Sequence, residues 1–221
     1  MLEPQTLRFL SALKKNNNKQ WFDAHRDKYE AAKIDFSNFI QLVIDDFQRT
    51  DPTLEGLTSK NCMFRINRDI RFSKNKSPYK TNFGAAITKG GRKSPFAGYY
   101  FHCEPGQSFV GGGLWMPDPG ALTKVRQEID YNWNDFHSII KRPEFKKIYK
   151  DIYSGSDLKL STPPKGYDKH NPAIEYLKLK CFIAERTLSD DELIKGSLHK
   201  KTIDAFAALK PLIDFINTAI E

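Results

Sequence analysis

The chain has 221 residues, 39% hydrophobic and 28% charged, which excludes a disordered or fibrous polypeptide and fits one domain with an ordinary core. No apolar run approaches the roughly 20 residues of a membrane span, and the N-terminal stretch MLEPQTLRFLSALKKNNN lacks the apolar centre of a secretory leader; no membrane contact and a cytoplasmic location are expected. The formal charge of +8 directs attention to anionic partners.

Taken in order, Pro4 suits the first turn of a helix in which Leu7, Leu10 and Leu13 recur at helical spacing, until the run Asn16, Asn17, Asn18 stops it. A longer helical region is predicted over 19–49, ended by Asp51-Pro52. Over 58–114 the pattern changes to short β-like runs, predicted near Asn61–Ile66, Phe83–Thr88, Gly98–Glu104 and Ser108–Leu114, with turns at Ser77-Pro78, Gly90-Gly91 and Pro105-Gly106. Asp118-Pro119 reads as a helix cap and first turn, followed by helical segments around 133–140 and 143–149. Residues 154–172 have the composition of a long loop. A turn or two of helix over 173–178, a strand within 177–187, a short helix capped by Ser189 and a C-terminal helix from Leu198, divided at Pro211, complete the chain. Helices first, strands in the middle and helices last predict an α+β fold. Its largely antiparallel sheet, about 58–114 plus a strand near 177–187, would be covered by N- and C-terminal helices in a single domain, 1–221.

The charge is concentrated. Residues 58–93 carry ten Lys or Arg against one acid, Asp69, whereas the remaining 185 residues hold 25 cations and 26 acids. Within this window lies FRINRDIRFSKNKSPYK, residues 64–80. If 64–72 is extended, Phe64, Ile66, Arg68, Ile70 and Phe72 share one face. Arg68 then needs either a turn that swings it out or an anion that pairs with it, because a buried lone guanidinium is costly. Arginine offers a planar fork and lysine a mobile point charge, a mixture suited to an anion with several oxygens. The candidate anion-binding residues are therefore Arg65, Arg68, Arg71, Lys74, Lys76, Tyr79 and Lys80, with a pocket wall from Tyr99, His102, Trp115, Lys165 and Tyr167. A charged strand edge that discourages aggregation is the structural alternative.

Other chemistry is sparse. Cys62, Cys103 and Cys181 are an odd, widely spaced set without a CxxC pair, which fits buried thiols better than disulfides or zinc. His102 and Cys103 are adjacent, so on a strand they face opposite sides and cannot act as base and nucleophile. The five histidines show no metal-ligand spacing, and no GxSxG elbow or phosphate loop is present; no metal, no cofactor and no particular catalytic residue is indicated. Trp21, His25 and Tyr29 form a stripe at helical spacing, explained by core packing. The triple glycine 111–113 suits a crowded hairpin.

The run Phe64–Lys74 with Lys76–Lys80 resembles the hallmark of an uncharacterised bacterial and fungal family, domain of unknown function 2461. Trp21-Phe22, Gly98-Tyr99-Tyr100, Gly111–Gly113, Arg126, Pro164–Tyr167 and Leu177–Lys180 also fit its pattern. One departure is Asn171, where the pattern has His or an acid before Pro172. The resemblance implies one α+β domain and supplies no reaction. Three functions remain in view: an anion-binding domain, or an enzyme, for a phosphate-containing small molecule; a nucleic-acid-binding module in which Phe72, Tyr79 or Trp115 stacks on bases; and a protein-interaction domain whose cations form an ion-pair network.

Overall fold

The computed structural model describes residues 1–221. Its N-terminal helices form where the sequence provides caps and an apolar stripe. Helix α1 (Pro4–Lys15) starts at its proline, and Asn18 caps α2 (Lys19–Ala24) by accepting the Trp21 N–H at 2.9 Å. The predicted 19–49 helix breaks at His25, where the backbone leaves helical geometry (φ −123°, ψ 26°) and the ring Nδ1 lies 2.8 Å from the Trp21 carbonyl oxygen; α3 (Arg26–Phe47) then continues.

One antiparallel sheet has the order β1-β2-β3-β4, with β1 at Phe83–Ile87, β2 at Gly98–Cys103, β3 at Ser108–Leu114 and β4 at Phe182–Leu188. The architecture is thus α+β. The predicted strand at Asn61–Ile66 is replaced by a helical turn, α4 (Ser59–Cys62), and by single bridges, Met63 with Ala85 and Asn67 with Tyr79. Thr58 explains the turn: its Oγ1 donates to Asn61 Oδ1 at 2.5 Å and its carbonyl accepts the Asn61 N–H at 2.9 Å, a local arrangement that competes with a strand ladder. The alternation expected over 64–72 is also absent, since of its five apolar-face positions only Ile66 is buried and Phe72 is 96% exposed.

Two compact units divide the chain. The first contains Met1–Ser94, Tyr100–Val110 and Thr187–Asp204; the second contains Pro95–Tyr99, Gly111–Arg186 and Ala205–Glu221. In the first, α3 packs on β1, with Phe36 against Phe83 at 5.4 Å and Phe39 against Phe101 at 5.0 Å between ring centroids. Buried aromatics of this kind contribute about 1.5–3 kcal/mol each. A capping box at Ser189 and Glu192 starts α9 (Asp190–Leu193), as the Ser189 cap predicts.

The second unit is built from α5 (Pro119–Tyr131), α6 (Trp133–Lys141), α7 (Pro143–Tyr149), α8 (Ile174–Leu177) and the C-terminal part of α10 (Leu198–Ile220). Asp118 caps α5 by accepting the Gly120 N–H at 2.8 Å and the Ala121 N–H at 3.1 Å. Helix α10 is continuous through Pro211, contrary to the expected division. The carbonyl that loses its donor, that of Ala207 four residues earlier, belongs to an exposed residue, so water can replace the missing bond. All three cysteines are buried and free, and burial pushes the Cys62 thiol up to about 11.

Candidate functional site

The basic segment is an exposed loop held on a paired root. Arg68 N–H donates to the Pro78 carbonyl and Lys80 N–H to the Ile66 carbonyl, at 2.9 and 2.8 Å, so 66–68 and 78–80 run antiparallel. The root is fixed from outside by Asn17, whose amide accepts the Tyr79 N–H at 3.1 Å and donates to the Tyr79 carbonyl at 2.9 Å. One side-chain amide thereby replaces a neighbouring strand. The Tyr79 ring is stacked on Phe22, centroids 3.9 Å apart, and is buried.

The cations of this loop meet few acids. Arg71 alone is ion-paired, with Asp69 at 2.6 Å. Arg68 turns back into the loop, donating to the Ser77 carbonyl at 3.2 Å and Ser73 Oγ at 3.3 Å, so its charge meets neutral oxygens. Lys76 donates to the Ile70 carbonyl at 3.1 Å, while Arg65 and Lys74 are exposed. Lys80 is half-buried, its ammonium 5.3 Å from the centre of the Phe64 ring. Burial, with repulsion from Arg65 added, holds the Lys80 pKa below its ordinary value. Two like charges therefore repel each other, and neither is directly ion-paired; Asp69, within electrostatic reach of Arg65, is held by Arg71.

The first unit also carries a row of polar groups at alternate positions, two on β2 and the third just past its end. Tyr100, His102 and Glu104 project from one face, as strand geometry requires. The Tyr100 hydroxyl lies 3.1 Å from His102 Nδ1, and His102 Nε2 lies 3.3 Å from Glu104 Oε2. Because a carboxylate only accepts, Nε2 carries the ring proton and Nδ1 accepts from Tyr100. Glu104 also accepts from Thr81 Oγ1 at 2.7 Å and faces Lys14 at 3.8 Å. Burial lowers the His102 pKa against the opposing pull of Glu104, and burial together with Glu104 raises the Tyr100 hydroxyl to about 12. At neutral pH the row thus holds a neutral imidazole and a protonated phenol, groups able to accept and donate a proton. Phe64 connects it to the basic root, its ring 6.4 Å from that of Tyr100. Gly84 leaves the space for Tyr100: a Cβ there would overlap the hydroxyl.

The residues singled out from sequence are therefore distributed unevenly. Arg65, Arg68, Arg71, Lys74, Lys76, Tyr79, Lys80 and His102 belong to the first unit, but the Tyr79 ring is committed to packing. Tyr99, Trp115, Lys165 and Tyr167 belong to the second. Tyr99 is a core residue, 4.8 Å from Phe206 between ring centroids, whereas Trp115 and Lys165 are exposed and Tyr167 is partly so. Tyr100 and Glu104 are not among the residues expected from the sequence; the signal for them is their i±2 spacing from His102 on an extended backbone. No group of three His, Cys, Asp or Glu side chains is arranged to hold a metal ion, and no helix is long and apolar enough to cross a membrane.

The basic root and the hydrogen-bonded Tyr100–His102–Glu104 row thus lie in the same unit of an α+β scaffold. The chain belongs to the family of conserved hypothetical proteins DUF2461, whose model matches residues 5–215. Neither the curated proteins nor the solved structures include a match to it.

Proposed function

We propose that the protein is an anion-binding domain whose basic segment, 64–80, receives a phosphate-containing small molecule. One observation carries the reading: Arg65 and half-buried Lys80 repel each other, and neither forms a direct ion pair, the single acid of the loop, Asp69, being held by Arg71. Keeping two cations together costs free energy that a bound dianion would return. Lys74 and Lys76 would add mobile charge from the loop, and Arg68, tied to Ser77, would keep the loop closed around it. The Tyr100–His102–Glu104 row supports an acid–base role toward a molecule held there.

The test is thermal unfolding of the full chain with sulfate and with a panel of phosphorylated metabolites, compared with chloride at equal ionic strength. Stabilisation is expected in the native protein and is expected to disappear in Lys80→Met and Arg65→Gln. Equal stabilisation in those variants, or none in the native protein, refutes the proposal.

A second reading rests on Phe72, 96% exposed with the Arg71 guanidinium 5.9 Å from its ring centre. An exposed ring flanked by cations suits stacking on a base of single-stranded nucleic acid. Oligonucleotide binding that falls steeply with salt and weakens in Phe72→Ala would favour it over the small-molecule reading.

A further inference from the structure

The second unit contains a guanidinium that its surroundings leave without a counter-charge. Arg126, on α5, donates through Nη2 to the Leu179 carbonyl at 2.9 Å. Its Nε is sealed from solvent and has no hydrogen-bond partner, and desolvation lowers its pKa. An acid stands four residues on along the same helix, but Arg preceding an acid is the weaker order for a helical pair. Asp130 instead accepts the Asn171 amide at 2.5 Å, and Asn171 is oriented by the Ala173 N–H, 2.8 Å from its Oδ1. The internal candidate for neutralising Arg126 is thus engaged by the loop.

The neighbourhood is aromatic. Tyr167 lies within electrostatic reach of Arg126, Asp130 and Tyr131, and Tyr131 is 84% exposed. On the other flank, Cys181, two residues after the carbonyl that Arg126 holds, accepts the Met116 N–H through Sγ at 3.2 Å. Met116 adopts φ 45°, a left-handed conformation uncommon for a residue with a side chain, and Trp115 beside it is exposed. A buried, unpaired donor and a strained backbone are features that folding alone disfavours.

We infer that Arg126 anchors a second ligand site, for a small molecule bearing a carboxylate or phosphate on a planar apolar body that lies against Tyr131 and Tyr167. Leu179 fixes Nη2, Nε stays sealed, and the ligand oxygens take the remaining Nη1, which has no partner and is not buried. This site is independent of the basic segment.

Benzoate and phenyl phosphate, titrated into the full chain at fixed ionic strength and followed by calorimetry and by arginine side-chain NMR, provide the test. At least one probe is expected to bind and to shift the Arg126 guanidinium resonances, the preferred probe identifying the head group. Arg126→Met is expected to weaken that binding about 10- to 100-fold, the value of a charge-assisted hydrogen bond, while Lys80→Met leaves it unchanged. Arg126→Lys retains a donor for Leu179; should the methionine variant fail to fold, the lysine variant must show the weakening. Undiminished binding by the folded Arg126 variant, loss of binding in Lys80→Met instead, or no binding of either probe at millimolar concentration overturns the inference.

Discussion

His102 makes a residue-scale prediction with a definite sign. Its folded pKa lies below the ordinary 6.5 because burial opposes the charged ring. Above pH 6.5 the imidazole is neutral in both states; between 6.5 and the lowered value, only the unfolded chain takes up the proton. Stability therefore falls as pH drops through this window, and the effect ends below the folded pKa. Urea titrations from pH 7.5 to 5 should show a flatter stability profile for His102→Gln than for the native protein. Gly84→Ala should displace the Tyr100 hydroxyl and cost about 1–3 kcal/mol by overpacking, measured by the same denaturation. The special status of Arg68 was legible because a guanidinium falls among apolar positions of the pattern. Its destination was not, since Ser73 and Ser77 come within reach only when the loop closes.

At the scale of elements, the glycine triplet explains how the strands approach. A Cβ on Gly111 would overlap the Ala184 carbonyl, one on Gly112 the Gly98 carbonyl, and one on Gly113, at φ 120°, the Phe182 carbonyl. These are backbone contacts in a sheet, which have little room to yield. Gly113→Ala is predicted to destabilise the protein by about 3 kcal/mol or more, read as a lowered urea midpoint. Pro211→Ala should act oppositely, restoring a hydrogen bond to Ala207 and adding about 1–3 kcal/mol. Most helices and all four strands were legible from caps, turns and periodicity: Pro4, Asp118 and Ser189 mark helix starts, Gly or Pro punctuates β1 to β3, and β4 falls on the apolar run expected within 177–187. The structure departs from the expected pattern at the strand over Asn61–Ile66 and at the division at Pro211, where local chemistry outweighs the pattern. Thr58 bonds Asn61 and makes a turn, while Ala207 faces water and tolerates the proline.

On the scale of the whole molecule, the positive charge is a property of one window, residues 58–93, and there it is opposed by one acid. Anion binding at 64–80 should consequently weaken as salt rises from 50 to 500 mM, where the screening length falls from about 14 to about 4 Å; a salt-independent affinity would argue for a buried site instead. Local charge density was visible in the sequence, but the approach of Lys80 to Arg65 depends on pairing across 66–68 and 78–80, and the unpaired state of Arg126 depends on Asn171 capturing Asp130. Neither follows from spacing. The Asn17 clamp on Tyr79 has a dynamic consequence of its own. With both ends of the loop held at that root, its closure entropy is already spent on folding, and an anion bound as proposed would have only the tip to order. In deuterated solvent, the amides of Tyr79 and Lys80 should exchange slowly while those near Lys74 exchange at nearly the free rate. Asn17→Ala should erase that contrast, turning a braced finger into a slack one.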